Sequence, residues 1–357
     1  MTTTPFLLLD RSRVEANIAR LSTRLRALGV PLRPHLKTAK SIDVAHLLFD
    51  GGTGPVTVST LREAEVFGAA GFTDILYAVG IAPGKLDRVR DLHDRGIRVT
   101  VLLDSVEQAS AVASAGIPAL LEIDCDGHRG GLLRGDPTIH RIAETLGANF
   151  AGILTHAGES YHASSPAELI AAAEHERFTA VAVAQDLRDA GLACPVVSVG
   201  ATPTAHFAQD LTGVTEVRAG NFVFFDLFMA GLGVCSQDDL ALSVVTTVIG
   251  HRPDRGWILT DAGWMATSRD RSTAKQSIDQ CYGVVTTLDG RPLPDLLMTA
   301  ASQEHGILSL RPGSSAALPN LPIGTRLRIL PNHACATAAQ HEGYQVGEAF
   351  WPRIHGW

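Results

Sequence analysis

The feature that most constrains this chain is an alternation of two textures. Short extended runs fall at Leu32–Lys37, Val56–Ser59, Asp74–Val79, Val99–Leu103, Ala119–Asp124, Ala151–His156, Pro195–Val199 and Thr215–Arg218. Between them lie amphipathic segments of helical spacing, such as Leu61–Ala70, Pro83–Arg95, Ser105–Ala115 and Pro166–Ala190. About eight strands, each separated from the next by a helix-sized segment, predict an α/β fold, a (β/α)8 barrel of the TIM type. A doubly wound open sheet shares the alternation. However, no Gly-x-Gly-x-x-Gly follows the first strand, which weakens a dinucleotide-binding reading.

The flanks differ from this middle. Phe6–Asp10 reads as an opening strand. A helix is expected from Ser12, a plausible N-cap, to about Leu28, with Val14, Ile18, Leu21, Leu25 and Leu28 on one face. After about Leu232 the text turns β-rich, with runs at Leu242–Gly250, Gly256–Asp261, Gly283–Thr287, Ile307–Leu310 and Thr325–Leu330. The expected organisation is therefore a barrel over residues 11–232 and a second, mostly β domain built from 1–10 plus 233–357, which a length of 357 residues accommodates.

Composition removes several function classes. A net charge of −7 and a pI near 6 argue against a nucleic-acid footprint. No apolar run approaches the roughly 20 residues of a membrane span. The start, Met1-Thr2-Thr3-Thr4-Pro5, lacks the basic and apolar regions of a signal peptide. Five scattered cysteines with no Cys-x-x-Cys pair point to a reducing, cytoplasmic setting and no disulfide framework.

Barrel chemistry belongs at the C-terminal ends of the strands, where the βα loops line one open face. The unusual residues of this chain fall there. Arg33-Pro34-His35-Leu36-Lys37-Thr38-Ala39-Lys40 closes the first strand. A lysine at that point is either a solvated strand end or an amine poised to form a Schiff base with a carbonyl cofactor. Asp124–Arg129 ends the fifth strand, His156–His162 the sixth, Gly200–Thr204 the seventh and Ala219-Gly220-Asn221 the eighth. Loops after strands seven and eight commonly seat a phosphate. Gly200 and Gly220 would let the backbone approach it, and Thr202 would donate a hydroxyl. A reactive lysine facing a phosphate seat points to pyridoxal 5′-phosphate (PLP). In the second domain, His333 and Cys335 lie two residues apart on an expected extended segment, so both would reach one ion. Imidazole with thiolate suits Zn²⁺ over harder divalent ions, and two protein ligands leave positions open.

At this point the chain resembles the PLP-dependent D-serine dehydratases and D-threonine aldolases of the alanine-racemase-like fold, over essentially its whole length. The resemblance rests on Pro34–Thr38, Thr155–Tyr161, Ser198–Thr204, Arg218–Asn221, Asp261–Trp264, Ser302–Gly306 and Pro331–Cys335. It implies that Lys37 binds PLP and then moves the Cα proton, and that Tyr161 and Arg129 contact the cofactor ring or the substrate carboxylate, in an order left open. Gly200, Thr202, Gly220 and Asn221 would serve the phosphate, and His333 and Cys335 a zinc ion that helps the β-hydroxyl depart. Dehydratase-like members carry His-x-Cys, whereas aldolases tend to His-x-Asp. The expected activity is elimination of water from a D-3-hydroxy amino acid. The rivals are a metal-assisted D-threonine or 3-hydroxy-D-aspartate aldolase and a non-catalytic PLP-binding protein. Members of this fold usually form homodimers. Many relatives carry His where this chain has Ala39, and a hydroxylated aromatic where it has Phe222.

Overall fold

The computed structural model describes residues 2–357. The chain parts into two compact units. One is Ile18–Phe222 with Ile354–Trp357; the other joins the N-terminal segment up to Asn17 to Val223–Arg353.

In the first unit, seven parallel strands follow one another around a sheet: Val56–Val58, Asp74–Gly80, Arg98–Leu103, Ala119–Asp124, Phe150–Thr155, Val196–Val199 and Glu216–Val217. The segment from Leu32 to His35 closes the ring. Leu32 bridges to Val217 on one side and His35 to Thr57 on the other, both parallel. The N–H of Arg33 donates to Val217 O at 2.8 Å, and that of Leu36 to Thr57 O at 2.8 Å. The strand expected over Leu32–Lys37 is thus reduced to two bridges. Pro31 and Pro34 have no N–H to give to a ladder. From Leu36 the chain turns, and Lys40 N–H closes that turn on Leu36 O at 2.7 Å.

Side chains alternate across each barrel strand with period two. Leu76, Leu102, Leu120 and Leu154 pack together as one buried cluster inside the ring. Their neighbours Ile75, Val101, Leu121 and Ile153 are fully buried on the opposite, helix-facing side. Each such burial contributes about 1.5–3 kcal/mol. Three of the surrounding helices begin on a hydroxyl cap. Thr60, Ser105 and Ser165 accept from the N–H of Glu63, Gln108 and Glu168. The last of these helices, Pro166–Asp189, runs for 24 residues behind the sixth and seventh strands.

The second unit is a closed antiparallel ring of six strands: Leu242–Arg252, Trp257–Thr260, Gly306–Leu310, Pro292–Ala301, Gly283–Thr287 and Arg326–Pro331, which pairs back onto Leu242–Arg252. Phe6–Leu9 lies antiparallel to Leu242–Val245, and Gly343–Val346 and Ala349–Pro352 continue the sheet beyond it.

One expectation needs correction here. The helix Arg11–Ala27 is capped by Asp10 and not by Ser12: the Asp10 carboxylate accepts Arg13 N–H at 3.2 Å and the Ser12 hydroxyl at 2.6 Å. The first half of that helix also clusters with the β unit, because Arg13 donates to Leu240 O at 2.8 Å and Asn17 to Asp239 O at 2.9 Å. By their contacts the units divide at Asn17/Ile18 and Phe222/Val223, where the sequence reading set the residue 10/11 and 232/233 junctions. Among the described residues, no helix is long and apolar enough to cross a membrane.

Candidate active site

Strand alternation carries a second, polar layer above the apolar one. His35, Glu122, His156 and Arg218 all share the inward register. Arg218 is 4% exposed and donates to Ser198 Oγ and to Thr155 O, each at 2.6 Å. Burial lowers its pKa to about 10 against the opposing pull of Glu216, Glu176 and Glu122, so it stays cationic. Below it, Ser198 Oγ donates to Glu216 at 2.6 Å, and Arg33 pairs with Glu216 at 2.7 Å and Asp74 at 3.0 Å. Fixed charges are thus built into the barrel floor.

Lys37 stands on the turn after the first strand, exposed at the mouth. Two histidines flank it. His35 Nε2 meets Ser59 Oγ at 2.9 Å. Loss of solvation, with the positive charges of Lys37 and Arg218, pushes its pKa well below the ordinary value. His156 donates from Nδ1 to Gly200 O at 2.8 Å. Its pKa falls to about 3, chiefly through desolvation and further through Lys37, Arg129 and Arg218. Both rings are therefore neutral, and the charge at this mouth is carried by Lys37, Arg129 and Arg218.

Arg129 arrives on the loop after the fifth strand. Asp124 Oδ1 holds that loop through the N–H groups of Asp126 and Gly127, and Asp104 Oδ2 holds it through Gly131 N–H. Asp104 is thus a loop anchor; Ser105 caps the helix that follows. Arg129 lies 3.8 Å from Glu122, whose pKa is raised by burial despite that arginine. Tyr161, from the loop after the sixth strand, packs its ring 6.2 Å from that of His156. Thr202 and Asn221 are buried at the starts of short helical turns, 1% and 7% exposed.

Gly200 and Gly220 stand where backbones crowd together. A Cβ on Gly200 would lie 1.9 Å from Arg218 O, and one on Gly220 2.6 Å from His35 O. These residues let neighbouring strand ends close on one another. Gly200 N–H is already committed to Glu176 at 2.9 Å.

In the β unit, His333 and Cys335 do not lie on an extended segment. His333 is the N-cap of the short helix Ala334–Ala338, so Cys335 sits in its first turn. The two side chains still meet through a hydrogen bond. His333 Nδ1 also lies 2.7 Å from Asp270 Oδ2. Against burial, Cys335 and the Asp270 carboxylate push His333 up to about 11, and, also against burial, His333 holds Asp270 down at about 2. The segment is pinned on both sides: Asn332 Oδ1 accepts Thr273 N–H at 3.1 Å, and Asp226 Oδ2 accepts Ala334 N–H at 2.9 Å. Among the described residues, no group of three or more His, Cys, Asp or Glu side chains is arranged to hold a metal ion. The pair is the whole of the donor set that the sequence proposed.

The architecture defines a class: an alanine-racemase-like barrel followed by a β unit, used by PLP-dependent lyases. Residues 9–227 match the family described as alanine racemase, N-terminal domain, and residues 241–347 the putative serine dehydratase domain. The chain is 51% identical to a D-threo-3-hydroxyaspartate dehydratase of Delftia sp. (strain HT23) over 371 residues, covering 99% of this chain and 98% of that protein. It is 30% identical to a D-serine dehydratase of Dictyostelium discoideum, covering 96% and 93%. Among solved structures, a cysteine-to-alanine variant of D-threo-3-hydroxyaspartate dehydratase in the metal-free form superposes with a TM-score of 0.96 at 50% identity, over 100% of this chain and 99% of that one. The chain belongs to the family of D-serine dehydratases, D-threonine aldolases and 3-hydroxyaspartate dehydratases.

Proposed function

We propose that this protein removes water from a D-3-hydroxy amino acid to give a 2-oxo acid and ammonia, using PLP and a zinc ion. The threo isomer of 3-hydroxy-D-aspartate is the first substrate to test, because the relative at 51% identity bears that name. One observation carries the reading: an exposed lysine amine stands at a barrel mouth whose two histidines are kept uncharged among fixed cations.

The donor set fits an anionic aldehyde cofactor. Lys37 offers the primary amine, Arg129 and Tyr161 the ring or carboxylate contacts, and Thr202 and Asn221 buried polar groups for a phosphate, with Gly200 and Gly220 letting the strands converge. When bound, PLP supplies the electron sink for the pair left on Cα after its proton departs. Lys37 Nζ, once it has shed its own proton and is a neutral amine, is the base that takes that proton. Neutral His156, its Nδ1–H spent on Gly200 O, offers no charge to compete with substrate for an anion. Lys40, at φ 46°, pairs with buried Glu63 at 2.9 Å and so holds the end of the turn that carries Lys37.

Once His333 gives up a proton as the ion enters, it and Cys335 fit a borderline-soft metal, with Asp270 orienting the imidazole from behind as metal-binding histidines usually require. A zinc ion there would supply the Lewis acid that stabilises a departing hydroxide. The His-x-Cys pair favours dehydratase over aldolase.

The test is to incubate metal-replete protein with D-serine, D-threonine and threo-3-hydroxy-D-aspartate and to identify products by mass, before and after chelation. Expected are 2-oxo acids with ammonia, lost on chelation and restored by zinc. Glycine with an aldehyde would make the protein an aldolase; bound PLP without turnover would make it a carrier. A homodimer in solution is the expected assembly.

A further inference from the structure

Glu176 lies in the middle of the helix Pro166–Asp189, yet its side chain is 2% exposed. Its Oε1 accepts the N–H of Ala157 at 3.0 Å and the N–H of Gly200 at 2.9 Å. Its Oε2 accepts the Thr204 hydroxyl at 2.7 Å, and Thr204 Oγ1 in turn accepts Ala201 N–H at 3.2 Å. One carboxylate therefore gathers the loop after the sixth strand and the loop after the seventh. His156 Nδ1–H reaches Gly200 O between the same two loops.

Burying a carboxylate is costly, and an apolar side chain would be cheaper if packing were all that mattered here. Its donors all come from segments that leave the C-terminal ends of two adjacent strands. The first carries His156 and Tyr161; the second carries Thr202. Without Glu176 those N–H groups would be buried and unpaired, and the two loops would lose their common anchor.

We propose that Glu176 is a positioning residue that braces the loop after the seventh strand, which carries Thr202, against the loop after the sixth, and so holds rigid that side of the seat for the phosphate of the cofactor. This rests on the PLP reading above. It goes beyond it in assigning the seat's geometry to a residue that touches neither cofactor nor substrate.

The experiment measures the affinity of full-length chain, freed of cofactor, for PLP and for pyridoxal, which lacks the phosphate, by the visible absorbance that binding produces. Glu176→Gln and Thr204→Val are each expected to weaken PLP by about 10- to 100-fold, the usual cost of losing an orienting group behind a ligand site. Pyridoxal should change by less than about threefold, and Thr204→Ser, which keeps the hydroxyl, should bind like the parent. Should Glu176→Gln fail to fold, Thr204→Val decides alone. Variants that bind PLP as the parent does, or lose PLP and pyridoxal equally, overturn the proposal. A parent chain that binds no PLP overturns the cofactor reading itself.

Discussion

The neutral histidines of the barrel mouth make a prediction at the scale of one residue. His156 has an ordinary value of 6.5 and falls to about 3 in the folded protein. Above pH 6.5 both states are uncharged and the ring costs nothing. As the pH falls below 6.5 the unfolded chain takes up a proton that the folded one refuses, so stability is lost progressively towards pH 3. Between pH 6.5 and 5 that loss is about 2 kcal/mol from this ring. Urea midpoints at pH 7 and pH 5 measure it, and His156→Asn should flatten the dependence; an unchanged slope would show the proton goes elsewhere. Lys37→Ala should remove the cofactor's visible absorbance and reduce turnover by roughly 10²–10⁴-fold through loss of the base alone. A variant that kept either would displace Lys37 from the proposed chemistry. Lysine and histidine were legible because period-two spacing puts them at strand ends. Glu176 and Asp270 were not. One reads as an ordinary polar position in a long helix, and the other meets His333 across 63 residues of chain. No local spacing rule records either contact.

Among elements, strand convergence is the controlling feature. Gly200 adopts φ 153° with Arg218 O where its Cβ would stand, and Gly152, at φ 131°, would set a Cβ 2.1 Å from Val196 O. Gly200→Ala should therefore cost about 1–3 kcal/mol through strain and displaced backbone. A thermal melt checks this, and an unshifted melting temperature would mean the eighth strand has room to move. The alternation that announced the barrel located the seven later strands of the ring, because each is a short apolar run set off by a helical or turn segment; the two-residue strand Leu132–Leu133 beside Ile123–Asp124 is too short to show such a run. The first strand was overcalled for an equally physical reason: its residues are apolar enough, but two prolines withhold the donors that a ladder needs. In the β unit, Pro292–Ala301 went unread because its proline-interrupted start resembles a loop. Likewise His333 and Cys335 proved to begin a helix, since Ala334–Ala338 is small-residue text with no marked period.

For the whole molecule, the decisive fact is that the β unit is written in two pieces. Phe6–Leu9 pairs with Leu242–Val245 and touches Gln345 on its other side, and Leu7 and Leu9 are 1% and 2% exposed. Each of those leucines contributes about 1.5–3 kcal/mol by burial. A chain lacking residues 1–9 should lose both, expose an open strand edge and fall in soluble yield and urea midpoint. An unchanged midpoint would mean the ring of six strands stands without its flank. The same arrangement governs how the protein is made. Phe6–Leu9 is made before the whole of Ile18–Phe222, and its partner Leu242–Val245 only after it. Throughout that interval a sticky four-residue edge travels unpaired on the nascent chain while the barrel assembles behind it. That edge can therefore be paired only late, once the strand Leu242–Val245 has been made.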